Sequence, residues 1–205
     1  MIQAIAKNIT RTLVKQNIIE FDDYSVYLFG MEMIVLAFSE VILLLMLGLV
    51  LGKILEVFVF LVCFAVLRSY AGGVHLNSAL MCLTLFTTLA FFAVYSVSIT
   101  PMHPVVVLIE CLLSLILVFR YAPIQSPNRP LSSSEINVFE KKSRQVALLF
   151  SIILIAASLF NKYTLELSII GSHALLFESI TLFPFLNKKV GVSNETGFRS
   201  GSKNG

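Results

Sequence analysis

Residues 33–51 read MIVLAFSEVILLLMLGLVL, a run in which Glu40 is the only charged residue. Crossing the roughly 30 Å hydrocarbon core of a bilayer takes about 20 mostly apolar helical residues, so this stretch predicts a transmembrane helix. The whole chain shares its bias: 57% of the 205 residues are apolar and 13% are charged. Ordinary soluble domains have roughly 45–50% and 25%, so the composition excludes a typical soluble enzyme.

Apolar stretches of similar length recur along the chain and predict an all-α, polytopic membrane protein with about six transmembrane helices. Short connections join the first span to the second, the third to the fourth and the fifth to the sixth, which predicts three tight helical hairpins. The spans lie at about 33–51, 53–67, 80–99, 104–120, 146–160 and 165–186, each boundary being good to about three residues.

Basic residues fall almost entirely on one side of this arrangement. Of the 15 Lys and Arg residues, only Lys53 and Lys162 fall on the other side. Because cytoplasmic loops collect Lys and Arg, the asymmetry predicts that both termini are cytoplasmic. The net charge of +3 is spread over separate clusters, which argues against nucleic acid as a partner.

The two ends of the chain differ from the apolar body. Residues 1–18 alternate apolar and basic positions at helical spacing, which predicts an amphipathic helix lying on the membrane surface; a solvated helix end is the alternative. Residues 1–190 are interpreted as a single membrane-embedded domain. Residues 191–205 are rich in Gly, Ser and Asn and predict a disordered tail.

The segment RSYAGGVHLNS, residues 68–78, concentrates polar groups against an apolar background and is followed by Cys82. A thiol attacks as the thiolate, which an imidazole produces by taking its proton. Cys82 is therefore the candidate nucleophile and His75 its candidate base. Backbone N–H groups around Gly72 and Gly73 are candidate oxyanion donors. The alternative is a buried cysteine and a loop histidine that share no chemistry.

The remaining cysteines and histidines have simpler interpretations. Cys63 and Cys111 lie within apolar spans and are expected to pack as small hydrophobic residues. His103 falls on the side of the membrane opposite His75. His173 lies five residues before Glu178 and could pair with it, although another polar contact within the bundle is the commoner role of such a residue. A metal site of His75 and Cys82 lacks further ligands, so neither a metal nor another cofactor is expected.

Acidic residues within spans are costly and therefore need an explanation. Glu40, Glu110 and Glu178 are expected to form hydrogen bonds between helices, roughly 10–15 Å below the cytoplasmic ends. Glu32 lies instead at the cytoplasmic start of the first span, where it could orient His75 or pair with Arg68.

One long connection, residues 120–145, joins the fourth and fifth spans. Three prolines oppose regular helix in its first half. Ser132 followed by Glu135 three residues later forms a capping-box pattern, which predicts a helix that begins near residue 133 and carries several basic residues toward the fifth span.

The pattern Arg68-x-x-x-Gly72-Gly73-x-His75 followed by Cys82 resembles the signature of the AgrB family, accessory gene regulator B. Further stretches are similar to that family, so that the resemblance covers about residues 20–190. They are Gly30-Met31-Glu32, Tyr121-Ala122-Pro123, Asn128-Arg129-Pro130 and Lys141-Lys142-Ser143.

The resemblance implies a cysteine endopeptidase of the bacterial cell membrane, with its active site on the cytoplasmic side. Its partners would be the lipid bilayer and an AgrD-like propeptide, and a homodimer is left open. Cys82 would be the nucleophile and His75 its base, and Arg68 and Gly73 would be needed for activity. The enzyme would release the acidic C-terminal part of the propeptide, hold the remainder as a thioester and promote closure of a thiolactone.

Four basic residues of the long connection are candidates for binding the acidic part of that substrate, namely Arg129, Lys141, Lys142 and Arg144. Anchoring of the cytoplasmic side is the equally weighted alternative. The rival function for the whole chain is a small multi-pass transporter or an accessory membrane subunit without catalysis. Against a transporter, the two halves lack matching Gly- or Pro-broken spans.

Overall fold

The computed structural model describes residues 2–73, 79–97, 99, 102–125 and 132–183. All regular secondary structure in these ranges is α-helical, which confirms the predicted all-α class. The helices are α1 Ile2–Lys15, α2 Tyr24–Leu51, α3 Ile54–Ala71, α4 Ala79–Ser96, α5 Pro104–Tyr121, α6 Ser133–Ala157 and α7 Lys162–Thr181.

Three of these helices, α2, α3 and α5, are long and apolar enough to cross a membrane. This finding supports a membrane protein, whereas the six-span count and the orientation remain predictions. The apolar part of α4, residues 81–96, is shorter. The N-terminal part of α6 carries Glu140, Lys141, Lys142 and Arg144, and α7 contains two glutamates and a histidine, which lower their apolar character.

Two predicted boundaries differ clearly from the helices observed. The helix of the first predicted span, α2, begins at Tyr24 instead of residue 33, because residues 24–32 contain no proline and a helix tolerates the single Gly30. The last helix ends at Thr181, before the predicted limit of 186. The second difference brings Glu178 into the final turn of α7.

Helix α7 forms the centre of the bundle despite its polar residues. It packs most extensively against α3 and α5, and also contacts α4 and α6. More than half of its side chains are buried, whereas α2 buries only Leu44 and Gly48. The polar groups of α7 therefore face protein, as expected for polar residues within membrane helices.

The connection between α2 and α3 is a tight turn, as predicted. Gly52 adopts a left-handed conformation with φ of 62° and donates its N–H to carbonyls of the last turn of α2. The Lys53 ammonium then lies 2.8 Å from Glu166 of α7 and 3.0 Å from Glu56. The hydrogen bond from Lys53 to Glu166 raises the pKa of Lys53 the most, and the one to Glu56 raises it further. This turn thereby joins the α2–α3 hairpin to α7.

The start of α6 and the N-terminal helix both agree with the sequence prediction. The predicted capping box is present, with Ser132 and Glu135 exchanging hydrogen bonds at the start of α6. The N-terminal helix is observed as α1, which packs on α2 and buries Ala6 and Thr10 while its basic side chains are exposed. Its position at a membrane surface stays a prediction, and the predicted tail, 191–205, lies outside the described residues.

Candidate active site

Arg68 occupies the last turn of α3, where three helices hold its side chain. Its Nη1 atom lies 3.1 Å from Oε2 of Glu178 in the last turn of α7, and the Glu178 side chain is fully buried. The guanidinium carbon lies 4.5 Å from the centroid of the Phe86 ring on α4, which is a cation–π distance. The cation is therefore fixed both by a carboxylate and by an aromatic face.

Gly72 and Gly73 follow Arg68 and pass close to other backbone and side-chain atoms. Gly72 has φ of 74°, and a Cβ there would clash with the carbonyl oxygen of Ile124. Gly73 has φ of 147°, and a Cβ there would lie 2.7 Å from Arg68 Nη1 and 2.6 Å from Thr181 Oγ1. These positions require glycine, and at Gly73 the reason is its direct packing against the Arg68–Glu178 pair.

The Gly72 amide has a partner that the sequence analysis did not foresee. Its N–H donates to the carbonyl of Arg68 and closes the end of α3. That amide serves as a helix cap here, so Gly73 is the glycine carried forward as a candidate oxyanion donor, and the role of Gly72 stays a prediction.

Cys82 lies in the first turns of α4 and is buried. It lines a cavity of about 430 Å³ between α2, α3 and α4. Arg68, Gly72 and Glu40 line the same cavity, so the predicted nucleophile and the predicted arginine face one space. Within the described ranges, His, Cys, Asp and Glu do not gather in a group of three that could hold a metal ion.

Two of the predicted site residues, His75 and Arg129, lie outside the described residues. Glu32 is described, but it lines a different cavity with Ser25 and Phe29. The ion pair of Arg68 is with Glu178 instead of Glu32. Sequence reasoning misses Glu178 as a partner of Arg68 because the predicted sixth span continues to residue 186. That limit places the Glu178 carboxylate farther from the cytoplasmic face than Arg68. The early end of α7 places the two at the same level.

A second polar cluster decides between the two interpretations of His173: this residue makes a polar contact within the bundle, and its partner is Glu110. Its Nδ1 lies 2.7 Å from Oε2 of Glu110 on α5, and the Ser172 hydroxyl donates to the same oxygen at 2.6 Å. Residues five apart on a helix point about 140° apart around its axis, so His173 and Glu178 face different neighbours. The expected hydrogen bonds between helices are present for Glu110 and Glu178.

The other cysteines are enclosed by packing, as predicted. Cys63 and Cys111 are both buried in the hydrophobic core. Neither lines the cavity that contains Cys82.

The basic residues at the start of α6 divide into two groups. Lys141 and Lys142 are exposed. The Lys142 ammonium lies 5.5 Å from the ring centroid of Tyr70, two residues beyond Arg68, so this surface adjoins the end of α3. Arg144 instead donates to the carbonyl of Phe119 at 3.2 Å and pairs with Glu140. Those contacts tie Arg144 to α5 and leave the two lysines as the accessible cations of this group.

Comparisons with known proteins agree with the resemblance drawn from the sequence. The sequence model described as accessory gene regulator B matches residues 6–182, a range that includes Arg68, Cys82 and Glu178. An accessory gene regulator protein B of Staphylococcus intermedius is 27% identical over 181 residues, covering 85% of this chain and 89% of that protein. An AgrB-like protein of Clostridium acetobutylicum is 26% identical over 162 residues, covering 79% and 76%. No solved structure matches the chain.

Proposed function

Because the chain belongs to the accessory gene regulator B family, and so has a role in the agr quorum-sensing system, we propose that it is a membrane-embedded cysteine endopeptidase. Its substrate is an AgrD-like propeptide, and its product is a thiolactone peptide. The observation that carries the proposal is the cavity shared by Cys82 and Arg68, with Gly73 packed against the Arg68–Glu178 pair. This arrangement places a thiol and a guanidinium on one space, and we assign deprotonation of the thiol to His75, because Glu178 already pairs with the guanidinium.

In the proposed reaction, His75 takes the proton of Cys82 and the thiolate attacks the carbonyl carbon at the cleavage site. The peptide C–N bond breaks, and the imidazolium returns the proton to the departing amine. The acyl group stays on Cys82 as a thioester. Arg68 and the Gly73 amide are proposed to stabilise the oxyanion that precedes it.

The second step requires neither water nor a cofactor. The thiolate of the substrate's own cysteine attacks the thioester, Cys82 leaves as a thiolate, and the new thioester closes the ring. One thioester replaces another, so the step needs no input of energy from ATP. Closure therefore depends on holding the substrate thiol close to the acyl group.

The proposed surroundings follow from the distribution of charge. With both termini in the cytoplasm of a bacterial cell, the last turns of α3 and α7 lie at the cytoplasmic face. Lys141 and Lys142 would then attract the acidic C-terminal part of the propeptide to the side of the bundle where α3 ends. Glu32 is proposed as a residue that orients His75.

The experiment uses the full chain in nanodiscs with a synthetic AgrD-like peptide. Cys82→Ala and His75→Ala should each abolish cleavage, and Cys82→Ser should be nearly inactive, whereas Cys63→Ala and Cys111→Ala should cleave normally as matched controls. Acid quenching should trap a peptide on the wild-type chain that hydroxylamine removes. Cleavage by Cys82→Ala would overturn the proposal, and absence of both adduct and cleavage would favour a non-catalytic membrane subunit.

A further inference from the structure

The cavity beside Cys82 is apolar over most of its wall. Helix α2 contributes Met33 and Leu36, α3 contributes Leu61 and Phe64, and α4 contributes Phe86. Its volume of about 430 Å³ falls within the range of roughly 300–1,000 Å³ that is usual for ligand pockets. The cavity reaches the side of the bundle, since Ala37 and Ala65 line it and are exposed.

We propose, on the basis of the function proposed above, that this cavity binds the side chain of the peptide residue whose carbonyl carbon Cys82 attacks. That side chain is attached to the Cα next to the carbonyl, so it must lie within a few bond lengths of the Cys82 sulfur. The walls around the sulfur select an apolar side chain the size of leucine or phenylalanine, because burying such a group releases water from both surfaces.

Glu40 makes the cavity discriminate between side chains by their charge. Its carboxyl group lies on the α2 wall of the same space and is partly buried. An acidic side chain beside Glu40 is disfavoured, because two carboxyl groups close together in a poorly solvated site cannot both ionise without a large cost. The acidic part of the propeptide is therefore directed away from the cavity and toward Lys141 and Lys142, which orients the peptide across Cys82.

Two alanines set the size of the cavity. Ala37 on α2 and Ala65 on α3 are the smallest side chains among its described lining residues apart from Gly72. Enlarging either residue fills space in the cavity while Cys82 and Arg68 themselves stay unchanged. Adding or removing about one methylene in an apolar pocket changes kcat/KM by roughly 10–200-fold. A leucine at either position should therefore remove the preference for large side chains.

The test compares peptides that carry Ala, Leu or Phe before the scissile bond, each cleaved by the full chain in nanodiscs. The wild type should prefer Leu and Phe to Ala by about tenfold or more in kcat/KM. Ala37→Leu and Ala65→Leu should lose that preference. Ala156→Leu, the same change at an exposed site on α6, should retain it.

Two further variants keep the test decisive if the filled variants do not fold. Leu36→Ala enlarges the cavity and should improve cleavage of the Phe peptide relative to the Leu peptide. Glu40→Gln should raise the relative cleavage of a peptide with Glu at that position, and no rise would overturn the role given to Glu40.

The two proposals fail in different ways. Wild-type ratios in every folded cavity variant, with cleavage still dependent on Cys82, would overturn the subsite and leave the peptidase intact. Cleavage that survives Cys82→Ala would overturn the peptidase itself. A changed ratio in the cavity variants and an unchanged ratio in Ala156→Leu would support the subsite.

Discussion

Helix α7 forms two buried acid–base pairs with its neighbours, and they occupy different surroundings. Glu178 binds Arg68 of α3 beside the Cys82 cavity, with Gly73 packed against the pair. His173 binds Glu110 of α5 beside a separate cavity of about 330 Å³ lined by Phe92 and other residues. The second cavity contains no cysteine among its described lining residues.

A buried polar pair is not itself evidence of a catalytic site. Both pairs join helices and satisfy groups that would be costly to leave alone in a membrane protein. The Arg68 pair differs in its neighbours, a thiol and a glycine with positive φ. The predicted consequence is that breaking the first pair abolishes activity, whereas breaking the second lowers stability.

The largest effect is expected from the Arg68 pair. Arg68→Met should lower kcat roughly 10²–10³-fold, as removal of an oxyanion donor does, and Glu178→Gln should also impair cleavage because Arg68 loses its anchor. Breaking a buried pair costs about 3–5 kcal/mol, so both variants should also unfold more readily. The double variant Arg68→Met/Glu178→Met should recover stability without activity. Recovery of cleavage in the double variant would contradict a catalytic role for Arg68.

Gly73, beside the Arg68 pair, and Gly171, two residues before His173, allow the same substitution to be compared near each pair. Gly73→Ala introduces a Cβ against Arg68 and Thr181 at a positive φ, so it should abolish most cleavage. Gly171→Ala on α7 meets the flexible end of Leu154 at 2.6 Å, which can move. It should lower the melting temperature modestly and retain cleavage. Equal losses of cleavage in the two variants, measured per folded molecule, would argue against a specific role for Gly73.

Breaking the second pair should leave the chemistry unchanged. Glu110→Ala removes the acceptor of His173 and Ser172. Hydrogen bonds between membrane helices are worth about 0.6 kcal/mol on average and up to about 1.7. Denaturation in detergent should therefore show a loss of that order, with kcat near wild type. A large loss of kcat at full folding would show that this region participates in the reaction.

The smallest effect concerns the surface next to the first pair. Lys141→Gln/Lys142→Gln should raise KM for an acidic peptide by about two- to thirtyfold at low salt, since each exposed ion pair contributes roughly 0.2–1 kcal/mol. The difference should shrink in high salt. Arg144→Gln should mainly lower stability, because Arg144 is bound to Phe119 and Glu140. Identical salt dependence in wild type and the double variant would leave the lysines as topology signals.

The helices and the cysteine cavity differ in how far the sequence predicts them. Hydropathy and the capping box at Ser132 identify helices because each signal is local. The ion pair of Arg68 joins residues 110 positions apart, and its recognition requires the true end of α7. The predicted sixth span places Glu178 too deep to meet Arg68 and leaves Glu32 as the candidate partner of Arg68. Which residues of two helices can pair depends on their depth in the bundle, and that depth is known only when the ends of both helices are known.

The placement of Glu178 also has a consequence for biogenesis. Arg68 is synthesised in the third helix, whereas its carboxylate partner arrives with the seventh. Until α7 is made, the nascent chain has a guanidinium without this counter-ion and a Gly73 without the surface it packs on. The order of synthesis therefore delays assembly of the site until the last described helix joins the bundle, and a chain truncated before Glu178 would retain Cys82 in an incomplete site.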